Sequence, residues 1–204
     1  MKIKVCGMKY PENIAALSRL PIQMIGLIFY KKSTRYVKEV DIKIVELPKH
    51  IQLVAVFVDE VLKNILDTIN QYGINIVQLH GVESPQLCKE LKKQGITVIK
   101  AFSIEEEEDL MSCIFYENVC DYFLFDTKTF QYGGSGTKFD WQILSTYYGE
   151  IPFFLSGGIG NNDVETIKQL KNPQLYGIDL NSQFEIKPGL KDIDKLQSFI
   201  SNFI

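Results

Sequence analysis

Val54-Ala-Val-Phe-Val58 is an unbroken apolar run, and after Asp59-Glu60 comes Val61-Leu62-Ile65-Leu66-Ile69, whose apolar residues recur at helical spacing. A strand half exposed to water alternates apolar with polar residues, so a continuous run belongs to a strand covered on both faces. A covered strand followed directly by an amphipathic helix is a β-then-α unit of a parallel sheet. Outward from this unit, similar runs occur at Ile3 to Cys6, Met24 to Phe29, Leu53 to Val58, Ile76 to Leu79, Thr97 to Ala101, Tyr122 to Phe125, Phe153 to Leu155 and Leu175 to Leu180. Ser84-Pro85 supplies an N-cap and an N1 proline for a helix through Leu87 and Leu91, and Pro11-Glu12-Asn13 opens the first helix in the same way.

Eight such units in 204 residues, without a polar linker, predict a single α/β domain over residues 1–204, a (β/α)8 TIM barrel. An open doubly wound sheet is the alternative, but it seldom needs eight strands in so short a chain. Lysine and arginine number 22 against 25 acidic residues, a net charge of −3 that favours neither nucleic acid nor an anionic membrane. The N-terminus has no long apolar segment and nothing approaches a membrane span, so a cytoplasmic location is expected. Cys6, Cys88, Cys113 and Cys120 form no C-x-x-C pair and only His50 and His80 could assist them, which argues against zinc and for reduced thiols. The expected partner is a small molecule, and the expected state a monomer, with a homodimer as the alternative.

A TIM barrel works at the C-terminal ends of its strands. The residues there are Cys6 to Lys9, Ser33 to Arg35, Asp59, His80-Gly81, Asp126-Thr127, Ser156 to Gly158 and Asp179 to Ser182. Gly157 and Gly158 would let backbone N–H groups approach a phosphate, with Asn181, Ser182 and the turn at Pro188-Gly189 completing the cup. A Gly-Gly pair elsewhere is more often a turn. Tyr132-Gly-Gly-Ser-Gly-Thr137, containing Gly134 and Gly136, reads either as a flexible connection or as a loop closing on substrate, and Asp140 caps the helix after it.

Cys6 alone would be core filling. Asp126, ending a buried run with no evident helix to cap, turns thiol and carboxyl into an acid and base pair. Arg35 is an exposed cation or a fork for a substrate carboxylate, and His80 a structural histidine or a pocket group.

Lys4-Val-Cys-Gly-Met8, Ser33-Thr-Arg35, Val54 to Asp59, Val77-Gln-Leu-His-Gly81, Leu124-Phe-Asp126, Gly133-Gly-Ser-Gly136 with Phe139-Asp-Trp141, and Leu155-Ser-Gly-Gly-Ile159 together resemble the phosphoribosylanthranilate isomerases of tryptophan biosynthesis. The resemblance implies an Amadori rearrangement of N-(5-phosphoribosyl)anthranilate to 1-(2-carboxyphenylamino)-1-deoxyribulose 5-phosphate with no cofactor. It implies Asp126 as general acid on the furanose oxygen, Cys6 as base at C2′, and Arg35 on the anthranilate carboxylate. His80, Gly134, Gly136, Gly157, Gly158, Asp179 and Ser182 are the further substrate-binding candidates.

Thr34 stands where that family commonly has proline, and Asn181-Ser182-Gln183 where it reads Ser-Ser-Gly; Glu185, Gly189, Lys191 and Asp192 resume the pattern. The histidine-pathway isomerase would show an internal repeat and aspartate at the first strand's end. Indole-glycerol-phosphate synthase would show catalytic lysines, for which Lys100 is the sole tempting position. From a different class, a phosphate-binding barrel that has lost catalysis and serves as a sensor or subunit would keep the glycines without using Cys6 and Asp126.

Overall fold

The first strand, β1 (Lys2–Val5), is bonded on one side to β2 (Met24–Ile28) and on the other to β8 (Leu175–Leu180), both parallel to it. Those two pairings close a barrel in the order β1 to β8 through β3 (Gln52–Phe57), β4 (Ile76–Leu79), β5 (Thr97–Ile104), β6 (Tyr122–Thr127) and β7 (Phe153–Leu155). The computed structural model describes residues 1–38, 47–127 and 139–204. The eight-stranded parallel barrel read from the apolar runs is the fold observed, and no helix among the described residues is long and apolar enough to cross a membrane.

Alternate strand residues face two separate cores. Val54, Val56, Ile76, Ile99, Leu124 and Phe154 fill the barrel, together with Met24 and Cys6. The intervening residues, such as Ala55, Phe57, Val98, Phe123, Phe125 and Leu155, pack outward beneath the helices. Both faces are covered, which is why these strands carry no polar alternation.

The helical layer is α1 (Pro11–Leu17), α2 (Leu62–Tyr72), α3 (Pro85–Lys93), α4 (Val164–Gln169) and α5 (Ile193–Phe203). Ser84 caps α3 by accepting from Leu87 N, with Pro85 at its first position, as the sequence predicts. After β5 and β6 the layer departs from expectation: Glu107–Tyr116 and Trp141–Thr146 are 3₁₀ segments rather than α-helices. Asp140 does cap the second of these, through Gln142 N. Glu105 and Glu106 give their N–H groups to Asp109, so the acidic run Glu105 to Asp109 is spent on starting the first.

A strand end also moves: β6 runs on to Thr127, so Asp126 is a strand residue rather than a loop residue. β8 has the span read from the sequence, Leu175–Leu180, and keeps Asp179 inside the sheet, paired in register with Lys4. The segment after Pro188-Gly189 is not helical at once. Glu185–Lys187 and Leu190–Lys191 form an antiparallel hairpin, β9 and β10, turning at Gly189 with φ 86°, and α5 starts only after Asp192, which caps it through Lys195 N.

Candidate active site

The strand alternation that puts Val54 and Val56 inside also fixes which polar side chains enter the barrel. Lys4 and Cys6 are two apart on or next to β1, and both point inward. Lys4 is fully buried and its Nζ donates to Asp179 Oδ1 at 2.9 Å. Burial by itself lowers an ammonium, but the attraction of the Asp179 carboxylate and of Cys6 outweighs it and holds Lys4 above its ordinary value. The same burial keeps Asp179 raised against the opposing pull of Lys4. The 2.9 Å contact satisfies both charges, and a neutral amine beside a neutral acid would forfeit that attraction, so the pair is ionised.

Cys6 is likewise buried, its N–H bonded to Leu180 O. Burial pushes its thiol up, while Lys4 and Lys191 pull it back and Asp179 adds to the rise. The sulfur lies where a side chain on Gly26 would be: a Cβ built there meets Cys6 Sγ at 2.6 Å. Gly26 O also accepts from Gly7 N and Met8 N, at 2.9 and 3.1 Å, which anchors the loop after β1. No sequence signal marked Gly26, because an isolated glycine inside an apolar run reads as an ordinary strand residue.

Across the barrel, Asp126 follows Tyr122 and Leu124 on the inward face of β6. Its Oδ1 accepts from Thr127 N at 2.8 Å and its Oδ2 lies 3.3 Å from His80 Nε2. His80 Nδ1 is 2.8 Å from the amide nitrogen of buried Gln78. With the amide so turned, Gln78 donates to Nδ1 and His80 carries its proton on Nε2, toward Asp126. Gln78, which the sequence did not single out, thus orients His80.

Gly157 and Gly158 both have positive φ, 88° and 69°. A Cβ on Gly157 would lie 2.2 Å from Thr127 Oγ1 and 3.0 Å from Asp126 Oδ1, so this glycine lets the seventh loop pass close beside the carboxyl. Among the described residues neither glycine gives its N–H to an internal acceptor. The eighth loop is adjacent: Gln183 side-chain carbons lie 3.8 Å from the Cβ position of Gly160, and Ser182 begins a 3₁₀ turn, Ser182–Phe184. Gly134 and Gly136 lie outside the described residues.

Arg35 reaches the site over Gly7, whose absent Cβ would meet Arg35 Cδ at 2.7 Å. Its Nε and Nη2 are held by Glu185, with Nη2 to Oε2 at 2.6 Å, and Lys191 Nζ binds Glu185 Oε1 at 2.7 Å and Asn181 Oδ1 at 2.7 Å. Glu185 is the group that sequence reading left without a role. Burial raises its carboxyl, yet Arg35 and Lys191 outweigh this and hold it below the ordinary carboxylate range.

Among the described candidates, Asp179 is the one that the geometry sets below the rim. It is buried in the barrel with its carboxylate on Lys4, because β8 extends through Leu180 before the loop begins. Lys100 points out of the barrel, not into it. Its Nζ bonds Gly81 O, Ala101 O and Glu83 Oε2, and Glu83 in turn accepts from Asp59 N and Gly81 N. Asp59, at φ 51°, accepts from Val82 N, so this cluster braces the third and fourth loops. Among the described residues no group of three or more His, Cys, Asp or Glu side chains could hold a metal ion.

Fold and site define a TIM barrel with titratable side chains gathered near the C-terminal ends of its strands. Residues 3–202 match the family described as N-(5'phosphoribosyl)anthranilate (PRA) isomerase, and the chain belongs to that family. It is 47% identical to the N-(5'-phosphoribosyl)anthranilate isomerase of Parabacteroides distasonis, over 100% of this chain and 94% of that protein. The corresponding protein of Staphylococcus aureus is 36% identical over 98% of this chain and 96% of its own length. A phosphoribosyl anthranilate isomerase structure from Thermotoga maritima superposes with a TM-score of 0.89 at 35% identity, covering 100% of this chain and 98% of that one. A further solved isomerase, TM-score 0.86 and 31% identity with coverage of 100% and 98%, is in complex with reduced 1-(o-carboxyphenylamino)-1-deoxyribulose 5-phosphate.

Proposed function

We propose that this chain catalyses the Amadori rearrangement of N-(5-phosphoribosyl)anthranilate in tryptophan biosynthesis, with Asp126 as general acid and Cys6 as general base. The observation that carries the reading is that thiol and carboxyl both enter the barrel interior near the C-terminal ends of β1 and β6, in a chain matched by this family almost from end to end. Asp126 gives a proton to the furanose ring oxygen, the C1′–O bond breaks, and the anthranilate nitrogen takes up the positive charge as a protonated Schiff base. Cys6 thiolate then removes the C2′ proton, its electrons moving toward nitrogen to leave an enolamine. Protonation of C1′ and loss of the enol proton give the ketone, so atoms and charge balance with no co-reactant.

An acid must hold its proton until it is needed. The opposite orientation of the Gln78 amide would put the His80 proton on Nδ1 and leave Nε2 as acceptor for a protonated Asp126, so the Gln78–His80 pair can serve either state of the acid. Arg35, oriented by Glu185, takes the anthranilate carboxylate. Gly157, Gly158 and Ser182, with their loops side by side, take the phosphate through backbone N–H groups and a hydroxyl.

The test is to generate the unstable substrate from anthranilate and phosphoribosyl pyrophosphate in situ and follow its fluorescence. The purified chain should accelerate the loss, and Cys6→Ala should return it to the spontaneous rate with the fold intact by circular dichroism. No protein-dependent loss would leave only a phosphate-binding barrel without catalysis.

A further inference from the structure

Arg35 is paired within the protein itself, and a guanidinium neutralised by one carboxylate is a poor receptor for another. Glu185 accepts from its Nε at 2.9 Å and from its Nη2 at 2.6 Å, while among the described residues nothing accepts from Nη1. The fork therefore offers an approaching anion one free edge, with the Glu185 carboxylate close behind it. A second cation stands on the far side of Glu185. Lys191 is buried, and its Nζ donates to Glu185 Oε1 and to Asn181 Oδ1, both at 2.7 Å. Burial draws the Lys191 ammonium below its ordinary value of 10.5 and the Glu185 carboxylate opposes this. Contacts this short are those of a charge-assisted donor. The backbone of Lys191 is pinned as well, its N–H donating to Asn13 Oδ1 and its carbonyl accepting from Asn13 Nδ2, which ties β10 to α1.

We propose that Lys191 is a positioning residue for substrate binding: by pairing with Glu185 it leaves two cations around one carboxylate, and that surplus positive charge makes Arg35 receptive to a substrate monocarboxylate. The inference rests on Arg35 holding the anthranilate carboxylate. Without Lys191 the Arg35–Glu185 pair is neutral, and the attraction of the guanidinium for a further carboxylate is offset by repulsion from Glu185. Glu185 cannot simply be dispensed with, because its contacts to Nε and Nη2 set the plane of the fork, and Gly189 N steadies its Oε1 in turn. Orientation thus falls to Glu185 and net charge to Lys191. The Lys191 side chain is wholly buried, so it acts through Glu185 and not by touching the ligand. Removing a unit charge within ~10 Å of a bound carboxylate, at an effective dielectric of ~20, changes its affinity roughly tenfold.

The test compares two ligands by calorimetry: reduced 1-(o-carboxyphenylamino)-1-deoxyribulose 5-phosphate and the same compound without its carboxylate. Their affinity ratio isolates the carboxylate, since sugar and phosphate are common to both. Lys191→Met should lower that ratio roughly tenfold and raise KM far more than it lowers kcat. Glu185→Gln/Lys191→Met again leaves one surplus positive charge and should restore the ratio, which a merely structural role for Lys191 would not do. A ratio unmoved in folded Lys191→Met, or lowered equally in the single and double variants, overturns the role of Lys191. Where Lys191→Met fails to fold, Glu185→Gln is compared with Glu185→Gln/Lys191→Met: the ratio should be roughly tenfold higher with Lys191 present, and equal ratios overturn the proposal. Arg35→Ala separates the proposal from the reading beneath it. A ratio that survives Arg35→Ala overturns Arg35 as the carboxylate holder, whereas a ratio lost there but kept in Lys191→Met overturns Lys191 alone.

Discussion

Replacing Gly26 by alanine puts one methyl group into the space that the Cys6 sulfur occupies. The new Cβ would sit 2.6 Å from Sγ, 3.1 Å from Cys6 Cα and 3.2 Å from Cys6 Cβ, so turning the thiol aside relieves only part of the conflict and β1 itself must shift. Overpacking of this kind costs about 1–3 kcal/mol, which for a chain of this size lowers Tm by roughly 2–12 °C. The kinetic effect should be larger, since a catalytic group displaced by ~1 Å loses ~100-fold in rate.

The assay is a double-mutant cycle with Cys6→Ala, measured by urea unfolding. Without the sulfur the closest conflicts left are the tight ones with Cα and Cβ, so Gly26→Ala should cost less in the Cys6→Ala background, with a coupling on the order of 1 kcal/mol. An equal cost in both backgrounds, or wild-type kcat/KM for Gly26→Ala alone, would refute the claim that the missing side chain makes room for the thiol.

Asp126→Asn should abolish turnover while the substrate analogue reduced 1-(o-carboxyphenylamino)-1-deoxyribulose 5-phosphate still binds by calorimetry; near-normal kcat would reject the acid role. Arg35→Ala should raise KM more than it lowers kcat, because the carboxylate it is proposed to hold is remote from the bonds that change, and an unchanged KM in steady-state kinetics would remove it from the site. Lys100→Met leaves Glu83 buried and uncompensated and should cost about 3–5 kcal/mol in urea unfolding without moving the pH dependence of kcat/KM. Glu185 is held below its ordinary value of 4.5, so its stabilising effect is fully present above that pH and is lost as pH falls through the lower folded value. The stability gap between the unaltered chain and Glu185→Gln, measured by urea unfolding at several pH values, should therefore be constant near neutrality and shrink only below about 4.5.

How much of this was legible follows from what kind of signal each feature carries. Continuous apolar runs such as Val54 to Val58 and Tyr122 to Phe125 declare doubly covered strands, and Ser84-Pro85 declares a helix start through local hydrogen bonding, so strand number and the start of α3 could be read before any coordinates. The 3₁₀ segments after β5 and β6 could not, since a four-residue acidic run before Asp109 is as suited to an α-helix first turn as to the turns observed. Within the site, Cys6, Asp126, Arg35, His80 and the Gly157-Gly158 pair stood out because reactive or conformationally special residues at strand ends are uncommon. Gly26, Glu83 and Glu185 did not, as each acts through a residue distant in the chain, and Gln78 did not because nothing in the sequence shows that its amide turns toward His80 two residues on.

The residue sequence by itself determined that eight covered strands alternate with a helical layer and that a thiol and a carboxyl lie near two of their ends. Only the closed tertiary structure decided which side of each strand faces in. Lys4 and Lys100 are both lysines embedded in apolar strands, yet one enters the barrel beside Cys6 and Asp179 and the other leaves it to grip Glu83. The physical reason is that a strand buried on both faces has no polar side to mark its orientation, so inward and outward are set by register and by the β1–β8 closure.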